Sequence, residues 1–179
     1  MAKKKLKGLK KLNNKITAFF QGLTGIDGFE CKLDDNFYYY NHKERVGFTP
    51  IAMPEQDEDW MDWITSRYNL EYVPDNFTAF FIFSVLHEIG HHVTLQDYID
   101  THDTYDSETA YSEDLIVWDS MPREQRKNTR WAYHSIPYEV IATEWAIDFW
   151  NNNIMACAKL AKPINKAFQK FYKKNNVRG

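Results

Sequence analysis

Cysteine is scarce in this chain. Cys31 and Cys157 are the only two in 179 residues, far apart and in no metal-binding spacing. That excludes a disulfide framework and fits a reducing compartment. Long apolar runs are missing as well, since no stretch reaches the roughly 18 uninterrupted apolar residues of a membrane span. The start is basic, but no signal-peptide core follows it. Ile16 to Ile26 is broken by Thr17, Gln21, Gly22, Thr24 and Gly25, so it is read as mature protein and a cytoplasmic location is expected. Internal repeats and low-complexity linkers are absent too. Acidic residues are missing from both ends: residues 1–15 carry seven lysines, and residues 159–179 carry six lysines and Arg178. All 25 acids lie between, against eight basic residues, so the net charge of −3 conceals two basic termini around an acidic middle. Such ends either solvate terminal helices or contact a polyanion, and no recognised DNA-binding motif accompanies them.

The composition is that of a globular chain, 44% hydrophobic and 16% aromatic, and the length predicts one domain over 1–179. Residues 6–20 read as a basic amphipathic helix. Phe29–Leu33 and Phe37–Tyr40 flank the turn signal Asp34-Asp35-Asn36 and read as a hairpin, with a third strand over Lys43–Thr49. Glu55–Tyr68 reads as a helix with Trp60, Trp63 and Ile64 inward. After the start signal Pro74-Asp75-Asn76, the residues from Thr78 to about Leu95 are apolar nearly all round, which predicts a buried central helix. Gln96–Asp119 is polar and acidic and reads as a loop, without the Asp-x-Asp-x-Asp-Gly order of a calcium-binding EF-hand. Pro122–Tyr133 reads as a charged surface helix. Two more helices are expected, from Ser135 to about Asn151 and from Asn153 to Lys174, the second interrupted or restarted at Pro163.

Within the buried helix lies His87-Glu88-Ile89-Gly90-His91, an H-E-x-x-H sequence. By ordinary usage of His and Glu, such a sequence arises by chance in under about 1% of chains this long, so chemistry is the better explanation. Four residues of α-helix turn about 400°, so the two imidazoles point the same way, one turn apart, and can share one metal ion. Glu88 is turned about 100° from His87, placed to reach a water on that ion rather than the ion itself. Zinc takes nitrogen ligands of this kind and keeps a position open. His92 points away from His91 and reads as surface or supporting structure.

A third ligand must come from elsewhere. Glu139, Ala142, Thr143, Ala146 and Trp150 share one helical face, and small residues there let two helices approach closely. Glu144 is turned about 140° from Glu139, so the two cannot both face the metal. Glu139 is favoured, with Glu144, His102 and His134 left as alternatives. Tyr133, His134 and Tyr138 precede Glu139 and are candidates either for oxyanion donation or for packing.

The helix with H-E-I-G-H, followed by one with E-x-x-A-x-x-W-A (Glu139, Ala142, Trp145, Ala146), resembles the ImmA/IrrE family of gluzincin-type metallopeptidases. These are small cytoplasmic proteins frequent in phages and mobile elements, whose members cleave repressor-type regulators. The resemblance spans about residues 78–150. It implies an α+β minimal zincin core, with a small, mainly antiparallel sheet beside the active-site helix and further helices around it. It also implies Zn2+ on His87, His91 and Glu139, Glu88 as the catalytic glutamate, and a protein or peptide substrate. The competing expectation is a non-catalytic zinc-containing regulator, or a nucleic-acid-associated protein working through its basic termini.

Overall fold

A computed structural model of the chain describes residues 6–34, 39–41, 46–50, 58–101, 120, 122, 134 and 136–175. Helix α1 runs over Leu9–Thr24 and buries Leu12, Ile16 and Phe20, one residue per turn of a single face. Gly8 and Gly25 bound it in the left-handed region, at φ 85° and 71°. The Gly25 N–H donates to the Gln21 carbonyl at 2.8 Å, the αL closure that glycine permits. Three short strands follow: β1 (Glu30–Asp34), β2 (Tyr39–Asn41) and β3 (Val46–Pro50). The side chains of α1 hold β1 in place. The Cys31 N–H donates to Thr17 Oγ1 at 2.9 Å, and the Leu33 N–H donates to Asn13 Oδ1 at 3.2 Å.

Helix α2 (Glu58–Arg67) turns Trp60, Met61, Trp63 and Ile64 into the core. Helix α3 (Phe77–Thr101) opens on Asn76, whose Oδ1 accepts the Ala79 N–H at 3.1 Å, a side-chain N-cap. Every residue from Thr78 to His91 is buried. Helix α3 continues through residues 96–101, where a loop was expected. There Tyr98 is buried against Tyr138, ring centroids 4.8 Å apart, which gives the polar end of the helix a packing partner. Helix α4 (Pro137–Asn152) starts on a proline at its first turn, and after Asn153 helix α5 (Ile154–Asn175) begins. Pro163 lies inside α5 without ending it. An interior proline costs roughly 3 kcal/mol; the buried face of Cys157, Ile164, Ala167, Phe168 and Phe171 is what holds the helix together across it.

The expected α+β core on a mainly antiparallel sheet is not what the chain forms. The described residues are mostly helical. The anticipated hairpin between β1 and β2 is also not made: β3 lies between them in the order β1-β3-β2. The longer pairing is parallel, Glu30↔Val46 to Asp34↔Pro50, and the three-residue β2 pairs antiparallel to β3. A turn signal such as Asp34-Asp35-Asn36 marks where a strand ends but does not choose the partner strand. Helix α3 forms the centre of the molecule, with α4 and α5 along it and β2 and β3 against it, while α1 packs on β1 and α5. Among the described residues no helix is long and apolar enough to cross a membrane. All but Pro122 of the helix expected over 122–133, His102, Tyr133 and most of the acidic 97–119 stretch lie outside the described residues.

Candidate metal centre

Two glycines set the distances around α3. A Cβ at Gly90 would lie 3.0 Å from the Cα and carbonyl carbon of Ala142, and closer still to its oxygen. The second x of H-E-x-x-H is therefore where α4 presses backbone against α3, and Ala142 and Ala146, both fully buried, complete the close approach. At Gly47 in β3, a Cβ would meet the Phe29 ring at 2.5 Å and the Glu88 Cβ at 3.1 Å. The sheet thus lies on the Glu88 side of α3 and helix α4 on the Gly90 side.

That packing brings together side chains 52 positions apart in sequence. His87 Nε2 lies 3.1 Å from Glu139 Oε2 and 3.1 Å from His91 Nε2, while His91 Nε2 lies 3.7 Å from Glu139 Oε1. All three residues are buried, and His87, His91 and Glu139 form a group able to hold a metal ion. Two tests on the geometry support the fit. Ligands at 2.0–2.1 Å around a tetrahedral ion are about 3.3 Å from one another, in the range of these separations. In addition, His87 Nε2 faces two partners at once. An imidazole nitrogen carries one hydrogen or one lone pair, so it completes one of these contacts as a linear hydrogen bond, whereas a shared cation completes both.

The rest of the site orients this group. His87 Nδ1 pairs with the Thr143 hydroxyl at 3.2 Å. With that bond made from Nδ1–H, the Nε2 lone pair is turned toward Glu139 and His91. The Tyr138 ring stacks on the His91 ring at 3.9 Å and 16°, and the edge of Trp60 meets His87 at 5.1 Å. Glu88 is 2% exposed, and among the described residues its Oε2 has no hydrogen-bond partner. Burial first, and then the negative charge of Glu139, push its carboxyl well above the usual carboxylate range.

Of the alternative third ligands, Glu144 is exposed and accepts a hydrogen bond from the Tyr68 hydroxyl at 3.3 Å, away from the group. His134 lies beside the Trp60 and Trp63 rings at 6.1 and 5.8 Å and is not among the converging ligands. His92 turns outward as expected, toward the Asp27 carbonyl at 3.4 Å and the Phe29 ring. The sequence puts Thr143 on the Glu139 face and gives it no role. Its position four residues after Glu139 is the signal that would have found it, once α4 was docked on α3.

No protein-family model, curated protein or solved structure matches the chain.

Proposed function

We propose that this chain is a zinc-dependent metallopeptidase of the gluzincin type. The observation that carries the reading is the convergence of His87, His91 and Glu139 at tetrahedral-edge separations, with Glu88 buried beside them and its Oε2 without a hydrogen-bond partner among the described residues. Two nitrogens and one carboxylate suit zinc, and the described residues supply three ligands, which leaves a fourth position for chemistry; a purely structural zinc site usually has four protein ligands. When bound, zinc supplies Lewis acidity, polarising a carbonyl and making water a nucleophile near neutral pH.

The chain's own residues do the rest. Thr143 holds the His87 tautomer, and Tyr138 and Trp60 fix the two ring planes. Glu88 accepts the proton of the attacking water and passes it to the amide nitrogen as the C–N bond breaks and the new C–O bond forms. The resemblance to the ImmA/IrrE family makes a repressor-type regulator the first substrate class to try. Both cysteines are free and buried, which agrees with a cytoplasmic setting.

Elemental analysis tests the site. About one zinc per chain is expected in the wild type, lost in Glu139→Ala and kept in Glu144→Ala. A Glu88→Gln variant should keep its zinc and lose roughly 10²–10⁴-fold in turnover of a fluorogenic peptide library. A wild type that takes up no zinc on reconstitution, or a fully active Glu88→Gln variant, would overturn the proposal.

A further inference from the structure

The two chain ends are tied together. The Lys7 N–H donates to Asn175 Oδ1 at 2.8 Å, and Asn175 Nδ2 donates back to the Lys7 carbonyl at 3.1 Å. The same Nδ2 also donates to the Phe171 carbonyl at 2.9 Å, which fixes the side chain on the last turn of α5. This clasp places the first turn of α1 beside the last turn of α5. Lys7, Lys10 and Lys11 come from one end and Lys170, Lys173 and Lys174 from the other, and all six are exposed. The Lys174 ammonium reaches over Gly8, 3.5 Å from where a Cβ there would sit. No carboxylate belongs to either helix. Among the described residues none of the six lysines makes an ion pair. Two lysine-rich segments at opposite ends of the sequence are thus one cationic platform.

We infer that this platform binds the phosphate backbone of duplex nucleic acid. Its chemistry separates that partner from others. The apolar faces of both helices are spent in the core, on Leu12, Ile16 and Phe20 and on Phe168, Phe171 and Tyr172. Among the described residues no large apolar side chain is exposed at the clasp. A protein partner is held mainly by buried aromatic or aliphatic anchors, and the platform offers none. Stable membrane attachment takes an inserted apolar element or lipid besides a basic patch, and the described residues of the platform expose no such apolar element. Single strands are held by exposed aromatic rings, whereas Phe171 and Tyr172 are buried. What remains is a dense set of point charges, which suits a closely spaced, repeating polyanion that releases counterions on contact. Lysine ammoniums contact phosphates without reading bases, so binding is independent of sequence. The platform shares no residue with the metal group, so it stands whether or not that site is a peptidase.

Fluorescence anisotropy of the full-length chain on a labelled random-sequence duplex of about 20 base pairs tests this, titrated between roughly 50 and 200 mM salt. Six phosphate contacts predict a slope of log affinity against log salt of about −5. The variant Lys170→Gln/Lys173→Gln/Lys174→Gln should make the slope shallower by about 3. Its arginine counterpart, substituted at the same positions, should restore it, and Glu139→Ala should behave as wild type. The substituted residues are exposed, and circular dichroism is the check that each variant folds. The inference is overturned by no binding at the lowest salt, by a slope the triple variant leaves unchanged, or by an equal loss from Lys159→Gln/Lys162→Gln/Lys166→Gln farther up α5. Binding to phosphatidylserine vesicles without duplex binding, or salt-sensitive self-association alone, would also overturn it.

Discussion

At the scale of single residues, Thr143 matters more than its modest chemistry suggests. An imidazole that ligates through Nε2 needs its other nitrogen protonated and held, and the hydroxyl 3.2 Å from His87 Nδ1 does the holding. Thr143 is fully buried, so valine fits its shape while leaving Nδ1 without a partner. Loss of such a supporting hydrogen bond typically costs about 10–100-fold in metal affinity. Thr143→Val should therefore bind zinc more weakly by that factor in a chelator competition, and serine in its place should bind nearly normally. Equal affinity in all three proteins would show that His87 is oriented by packing alone. The shared direction of His87 and His91 was legible because helical period is a local rule that burial does not alter. Glu139 was legible from its small neighbours. The Thr143 contact was not, because it depends on side-chain rotamers across two helices.

Among the elements, the approach of α4 to α3 decides whether the group assembles, and Gly90 is where that approach is tightest. Replacing glycine by alanine inside a helix ordinarily stabilises by about 0.5–1 kcal/mol. At Gly22 in α1, where nothing lies within 4 Å of a new Cβ, that gain is expected. At Gly90 the methyl would meet the backbone of Ala142, which has no flexible end to move aside. Overpacking of this kind costs about 1–3 kcal/mol, so the sign reverses. Calorimetry should show Gly22→Ala melting about 1–4 °C higher than wild type and Gly90→Ala melting several degrees lower. Gly90→Ala should also bind zinc less tightly, because the separation between Glu139 and the histidines would widen. A Gly90→Ala protein as stable as wild type would show that α3 and α4 can slide apart freely. The helices themselves were readable from apolar pattern and start signals, since α3 opens on the Asn76 cap and α4 on the first-turn Pro137. Strand order was not readable: pairing β1 with β3 instead of β2 is a choice among non-local partners that alternation along each strand does not encode. The same holds for the continuity of α5 through Pro163, which is set by a core contributed by other elements.

Over the whole molecule, the segregation of charge was plain in the sequence, while the meeting of the two ends depends on how α1 and α5 pack. That packing also predicts how the fold fails in alkali. Cys157 is fully buried and Tyr172 is 6% exposed, both on the inner face of α5. Burial pushes the thiol from its ordinary 9.0 up to about 11 and the phenol from 10.0 up to about 12. The unfolded chain therefore gives up these protons at lower pH than the folded one. Stability from the two groups is fully present below pH 9.0. It falls as pH rises, through about 11 for Cys157 and about 12 for Tyr172. Each group contributes a slope of up to about 1.4 kcal/mol per pH unit within its own window. Tyr172→Phe keeps the ring and removes the titration, and Cys157→Ala does the same for the thiol at the cost of a small cavity. Urea midpoints measured from pH 8 to 11 should therefore fall less steeply in either variant than in wild type, and least in the double variant. Parallel curves in all four proteins would mean that alkaline unfolding begins elsewhere, with α5 still seated on the core.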